Sequence, residues 1–107
     1  MTLPEKQLQN AILRTFGTRL DMRIWRANVG VARYGDRVVV FGLPGQADIS
    51  GLLPGGIRLE IEVKSPTGRQ SEDQRNFQAM IERFGGVYVL ARSVEDVWDK
   101  IGKYLQE

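Results

Sequence analysis

The chain has 107 residues, 15 basic and 13 acidic side chains, a net charge of +2 and 42% hydrophobic residues. That is one domain with a thin core, for which help from a second chain would be unsurprising. It has neither Cys nor His, which excludes disulfides, zinc sites built on those residues and Ser-His or Cys-His triads, and leaves acid–base work to Asp, Glu, Lys, Tyr or water.

Thr2-Leu3-Pro4-Glu5 opens a first helix: Thr2 can cap it, Glu5 is spaced to complete a capping box, and Pro4 is tolerated in the first turn. Leu8, Ile12 and Phe16 continue an apolar stripe, and Gly17 ends it. Glu5 and Gln9 lie in register with that stripe, so Glu5 is either a cap or a side chain turned towards the sheet. Arg23 to Val31 reads as one strand, Arg33 to Asp36 as a turn, and Arg37 to Phe41 as the returning strand. Arg23, Arg26, Arg33 and Arg37, with Trp25, Asn28 and Tyr34 among them, give this region a basic character suited to a nucleic-acid backbone. Arg on an exposed hairpin is nonetheless common, and Trp25 can equally belong to the core.

A turn with Pro44 leads to a short strand from Ala47 to Gly51, which carries Asp48, and then to the loop Leu52 to Gly56. Ile57 to Lys64 alternates strictly: Ile57, Leu59, Ile61 and Val63 point one way, and Arg58, Glu60, Glu62 and Lys64 the other. Such a face is often only the solvated side of a hairpin, filled with paired Glu and Lys. It is also how a chain would gather hard oxygen ligands for Mg²⁺ with a lysine beside them. Ser65 to Gln70, with Pro66 and Gly68, is a loop. Ser71-Glu-Asp-Gln74 then opens a second helix as a capping box, with Phe77, Met80, Ile81 and Phe84 as its stripe. Gln74 lies on the apolar face, where it serves as a cap or faces the same site as Lys64. Gly85-Gly86 stops the helix, Val87 to Leu90 is a buried strand, and Ser93 caps a last helix with Val94, Val97, Trp98, Ile101 and Leu105 as its stripe. The order is α-β-β-β-β-α-β-α. The strand ending at Lys64, its crossover helix and the strand from Val87 form a β-α-β unit, which makes those two strands parallel.

Asp48, Glu62-Val63-Lys64, the helix bearing Gln74 and the first helix bearing Glu5 together resemble the PD-(D/E)xK nuclease superfamily. More narrowly, Asn28-Val-Gly30, the run from Phe41 through Gln46-Ala-Asp48 to Gly51, Ile61-Glu-Val-Lys64, Gly68 and Ser71-x-x-Gln74 resemble its virus-type replication–repair nuclease domain, VRR-NUC, over nearly the whole chain. One departure is Ala47, where the superfamily pattern has Pro before its first Asp.

The resemblance implies a restriction-endonuclease-like α/β fold, a mixed central sheet flanked by helices, and a single nuclease domain. It implies Mg²⁺ or Mn²⁺ held by Asp48, Glu62 and the backbone carbonyl of Val63, with Lys64 as the motif lysine and Glu5 and Gln74 supporting catalysis or metal. Arg23, Arg26, Asn28 and Arg69 are the corresponding candidates for nucleic-acid contacts. It also implies a stand-alone phage or prophage protein, working as a homodimer on branched DNA such as Holliday junctions, without an organic cofactor. Trp98 and Tyr104 on the last helix are candidates for the dimer contact. With no apolar run of membrane-spanning length and no signal-peptide pattern, the expectation is a cytoplasmic protein. Other readings of the same residues are a nuclease-like relic that binds DNA without cutting it, a nuclease acting on RNA or plain duplex, and a small interaction module with a solvated charged strand.

Overall fold

The computed structural model describes residues 3–106. Three helices flank a four-stranded mixed sheet, from which a separate two-stranded hairpin projects. The elements are α1 (Glu5–Gly17), β1 (Arg23–Arg26), β2 (Gly30–Tyr34), β3 (Arg37–Phe41), β4 (Ile49–Leu53), β5 (Ile57–Val63), α2 (Glu72–Arg83), β6 (Val87–Ala91) and α3 (Val94–Ile101). The main sheet runs β1-β4-β5-β6. β4 is antiparallel to β1 and β5, and β6 is parallel to β5, as the β-α-β reading requires.

The sheet differs from the sequence reading in one respect. Arg23 to Val31 is not one strand. Ala27 donates its N–H to the Asp48 carbonyl at 2.9 Å, which closes the pairing of β1 with β4. The chain then leaves the sheet, and the hairpin of β2 and β3 pairs only with itself. There are therefore five strands before α2, one more than expected.

The alternation of β5 sorts its two faces. Leu59, Ile61 and Val63 join Leu8, Ile12 and Phe16 of α1 and Val97 and Ile101 of α3 in the main core. The other face is where the half-exposed expectation fails. α2 lies over it with Phe77 and Ile81 against Tyr88 of β6 and Ala47, in a second, smaller core. Glu60 and Glu62, read as members of an open polar face, are consequently buried at 0% and 3% exposure. Glu60 is satisfied locally: Ser50 Oγ donates to it at 3.1 Å and Arg58 Nε at 2.7 Å.

Local signals set the helix ends. Ser71 Oγ accepts from the Gln74 N–H, and Gln74 Oε1 accepts from the Ser71 N–H, completing the expected capping box. Ser93 Oγ accepts from the Asp96 N–H. For α1, Thr2 lies outside the described residues. Pro4 occupies the cap position without a side-chain hydrogen bond, so Glu5 is not the far half of a capping box.

The return from the hairpin is pressed onto α2 through Gly45, at φ +73°. A Cβ there would lie 2.2 Å from the carbonyl carbon and oxygen of Asp73 and 2.6 Å from the Gln74 nitrogen. Gly45→Ala should therefore destabilise the fold by about 2–4 kcal/mol, combining left-handed strain with a backbone clash that no rotamer relieves. Thermal unfolding measures it, and an unchanged melting temperature would refute the contact.

Candidate metal and nucleic-acid site

The register of β4 on β5 brings the acids together. Ser50 pairs with Glu60 and Ile49 with Ile61, so Asp48, one residue before β4, falls opposite Glu62 on the α2 side of the sheet. Asp48 Oδ2 accepts the N–H of Val63 at 2.8 Å, which fixes its carboxylate at the end of β5. In an extended strand the N–H and C=O of one residue point to the same edge. The Val63 carbonyl thus faces the Asp48 side, where the resemblance wants a main-chain ligand.

Two carboxylates directly across a strand pair repel each other, and here the repulsion acts in a dry place. Burial, with the neighbouring Asp48 adding to it, pushes the Glu62 carboxyl up to about 8. Gln74 Nε2 donates to Glu62 Oε2 at 3.1 Å, and Lys64 Nζ stands 3.9 Å from the same oxygen. Glu62 Oε1 is buried without a hydrogen-bond partner. Gln74 therefore does both things the sequence offered as alternatives: its amide oxygen caps α2 while its amide nitrogen holds Glu62.

Glu5 reaches the same end of the sheet from the opposite face. Its Oε2 accepts the Ser65 N–H at 3.1 Å, just after Lys64 in the chain, and its charge is among those that raise the Glu62 carboxyl. Asp48, Glu62, Val63, Lys64, Gln74 and Glu5 thus converge at the carboxyl end of β5, the usual place for a ligand in a sheet with parallel strands. Among the described residues no group of three or more acids closes to metal-binding distance. The residues that could hold a cation here are Asp48, Glu62 and the Val63 carbonyl, with Glu5 engaged on the backbone beside them.

The basic candidates divide. Arg26 ends β1 beside Asp48, and its guanidinium donates to Gln9 Oε1 at 2.6 Å and to Asn10 Oδ1. With Gln9, Ala27, Val29, Gln46, Ala47 and Asp48 it lines a cavity of about 250 Å³ that adjoins the acids. Arg23 is not part of this group: it pairs with Leu52 at the far end of β1, three residues from Arg26, and opens onto a different cavity. Asn28 is exposed at the root of the hairpin, and Arg69 is exposed in the loop before α2. Asn10 and Gln46 were not legible as site residues. The one available signal was the position of Gln9 a turn after Glu5, which put a polar run on the site side of α1.

As chemistry, the arrangement offers hard oxygen donors, an ammonium close to one of them, an amide that fixes that donor, and a guanidinium held by neutral partners. Comparison with protein-family models and with curated proteins gives no match for this chain.

Proposed function

We propose that this chain is a divalent-metal-dependent endonuclease of the PD-(D/E)xK type, in the manner of a VRR-NUC domain, and that it hydrolyses phosphodiester bonds in branched DNA such as four-way junctions. One observation carries the reading: Asp48 and Glu62 stand opposite each other on adjacent strands, with Lys64 and Gln74 on Glu62. A cation held between them would offset both the burial and repulsion that raise the Glu62 carboxyl and the buried Glu62 oxygen without a hydrogen-bond partner, which supports the reading.

The residues fit Mg²⁺ or Mn²⁺, which take oxygen donors. Asp48, Glu62 and the Val63 carbonyl would hold the ion, with Glu5 in reserve through the Ser65 contact. A cation so held supplies Lewis acidity and a more acidic water. The protein's own part is orientation and charge. Hydrolysis adds a water oxygen to phosphorus, breaks one ester P–O bond and leaves a proton for the departing oxygen. Lys64 places positive charge where negative charge gathers on the phosphoryl oxygens. Gln74 keeps Glu62 in one rotamer. Arg26, braced by Gln9 and Asn10, offers two planar N–H donors to a backbone phosphate without a carboxylate to be displaced first. Such work belongs in the cytoplasm of a bacterial host carrying the phage or prophage; among the described residues no helix is long and apolar enough to cross a membrane.

Labelled four-way junction, flap, linear duplex and single-stranded RNA, each with Mg²⁺, Mn²⁺ or EDTA, test the proposal. Metal-dependent cutting with the junction preferred is the expected result. Preference for RNA or plain duplex would keep the nuclease and replace its substrate. No cutting under either metal would overturn the catalytic reading, and junction binding without cutting would then leave a DNA-binding protein.

A further inference from the structure

The cavity of about 250 Å³ beside Asp48 lies between Gln9 of α1, Arg26 at the end of β1 and Gln46 on the return from the hairpin. Its hydrogen bonds fix which way each amide is turned. A guanidinium and a backbone N–H can only donate, so whatever faces them is an oxygen. Arg26 donates to Gln9 Oε1 at 2.6 Å and to Asn10 Oδ1. The Leu43 N–H donates to Gln46 Oε1 at 3.1 Å. Gln9 and Gln46 thus have their oxygens engaged, and each keeps an Nε2 group with N–H donors that no protein group among the described residues takes up. The turn before Gln46 is shaped around this amide: Gly42 sits at φ +79°, and a Cβ on it would stand 2.8 Å from Gln46 Oε1.

A wall of donors suits an anion. Arg26 brings a full positive charge and forms no ion pair with a carboxylate among the described residues. Asp48 is the one acid lining the cavity, and its Oδ2 is committed to the Val63 N–H. Neither Glu62 nor Lys64 lines it. β4 lies between β1 and β5, so Asp48 has Arg26 on one flank and Glu62 with Lys64 on the other. An anion held by Arg26 is therefore a different group from one resting against Glu62 and Lys64.

We infer that this cavity binds a second phosphate of the nucleic-acid strand, the neighbour of the one that is cut, through Gln9 Nε2, Gln46 Nε2 and Arg26. Charge favours an internal phosphodiester over a chain end. One guanidinium and two neutral amides match a single negative charge, whereas the second charge of a terminal phosphomonoester would stand unbalanced beside Asp48. Val29 and Ala47 offer apolar contact to the adjoining sugar. Gln9 and Gln46 then set register: a strand pinned at this phosphate presents the next one to Asp48 and Glu62. That consequence rests on the proposed nuclease function; the anion site does not.

Side-chain amide signals in proton–nitrogen correlation spectra of the metal-free protein test the site without any cutting. The probes are thymidylyl-thymidine, whose one phosphate is an internal diester, and thymidine 5′-monophosphate, with sodium chloride as the ionic-strength control. The Gln9 and Gln46 Nε2 signals should move with the diester, at lower concentration than with the monophosphate, and stay put in chloride. Gln46→Glu keeps an acceptor for the Leu43 N–H and removes the donors, so it should fold as wild type and lose the response. Tighter binding of the monophosphate would make a chain end the occupant and overturn the diester; shifts with neither probe would overturn the site. Methylphosphonates, each removing the charge of one phosphate, extend the test to DNA. In a four-way junction bound in EDTA, one position on a strand should weaken binding at least about tenfold, and Gln46→Glu should be indifferent to it. Equal losses in both proteins would refute the assignment of Gln46. Shifts and methylphosphonate interference in a protein that cuts nothing would sink the nuclease reading and leave this site standing. A Gln9→Glu/Gln46→Glu variant that binds and cuts like wild type would do the reverse.

Discussion

Lys64→Ala should lower metal-dependent cleavage by about 10²–10³-fold, the usual cost of removing one preorganised charge from a phosphoryl or acyl site. Lys64 stands 3.9 Å from the buried Glu62 carboxyl, so the variant also takes a neighbouring positive charge from the acidic pair and should lose some stability in the absence of metal. Asp48 separates two roles in a way Lys64 does not. Its Oδ2 accepts the Val63 N–H at 2.8 Å. Asp48→Asn keeps an acceptor for that hydrogen bond and removes the charge; Asp48→Ala removes both. The expected pattern is loss of cleavage by about 10³-fold or more in both variants. Only the Ala variant should also lose stability, by about 1–2 kcal/mol for the orphaned N–H. Single-turnover cleavage beside thermal unfolding reads both quantities. If Asp48→Asn cuts as fast as wild type, the carboxylate is not a ligand and the site is merely structural.

Glu62→Gln should make the metal-free protein more stable, by about 1–2 kcal/mol, or roughly 4–8 °C in melting temperature for each kcal/mol. The neutral amide keeps an oxygen for Gln74 Nε2 and abolishes the repulsion with Asp48. Stability of the wild type should also depend on pH in a definite direction. Glu62 titrates near 4.5 when unfolded and at about 8 when folded. Between those values the folded state binds the extra proton, so the contribution of Glu62 to stability is largest below 4.5 and declines as pH rises towards 8. The variant should lose that slope. Mg²⁺ acts in the other direction: it favours the ionised carboxylates and should raise the wild-type melting temperature, most strongly at high pH. At a hundredfold excess over its dissociation constant an ion adds about 2.7 kcal/mol, and Glu62→Gln should remove most of it. A variant less stable than wild type in EDTA, or equal metal-induced shifts in both, would contradict the assignment.

Much of the site was legible because its spacing follows strand periodicity. The alternation from Ile57 to Val63 separates the main-core face of β5 from the face that carries Glu60 and Glu62, as in the structure, and the parallel pairing of β5 with β6 followed from the helix between them. The depth of Glu62 was not legible. Alternation reports which side a residue faces, not whether a helix lies over that side, and α2 packs there through contacts between residues distant in sequence. The break between Arg26 and Gly30 was hidden for a related reason. Asn28 and Gly30 are poor strand formers, but Ile24, Trp25, Val29 and Val31 around them carry the strand pattern across the break, and the last rung is the bond from the Ala27 N–H to the Asp48 carbonyl. That same geometry separates Arg23 from Arg26, equal as basic residues on one strand but at opposite ends of it. Gln74 looked ambiguous only because a primary amide was treated as one group, whereas its two ends bond in opposite directions.

The strand order β1-β4-β5-β6 also sorts the contacts of the site by how far apart in sequence their partners lie. β4 pairs with β5 across the short Pro54–Gly56 turn, so Asp48 and Glu62 come together at low loop-closure cost, with Gln74 following on the next helix. β1 reaches the edge of that sheet across the whole hairpin between Arg26 and Ile49, β6 reaches β5 across the crossover through α2, and Glu5 reaches Ser65 across sixty positions of sequence. The acidic pair is thus the work of one contiguous half of the chain. Arg26 and Glu5 belong to the other half of the chain, and Glu5 joins the centre through a contact that spans sixty positions.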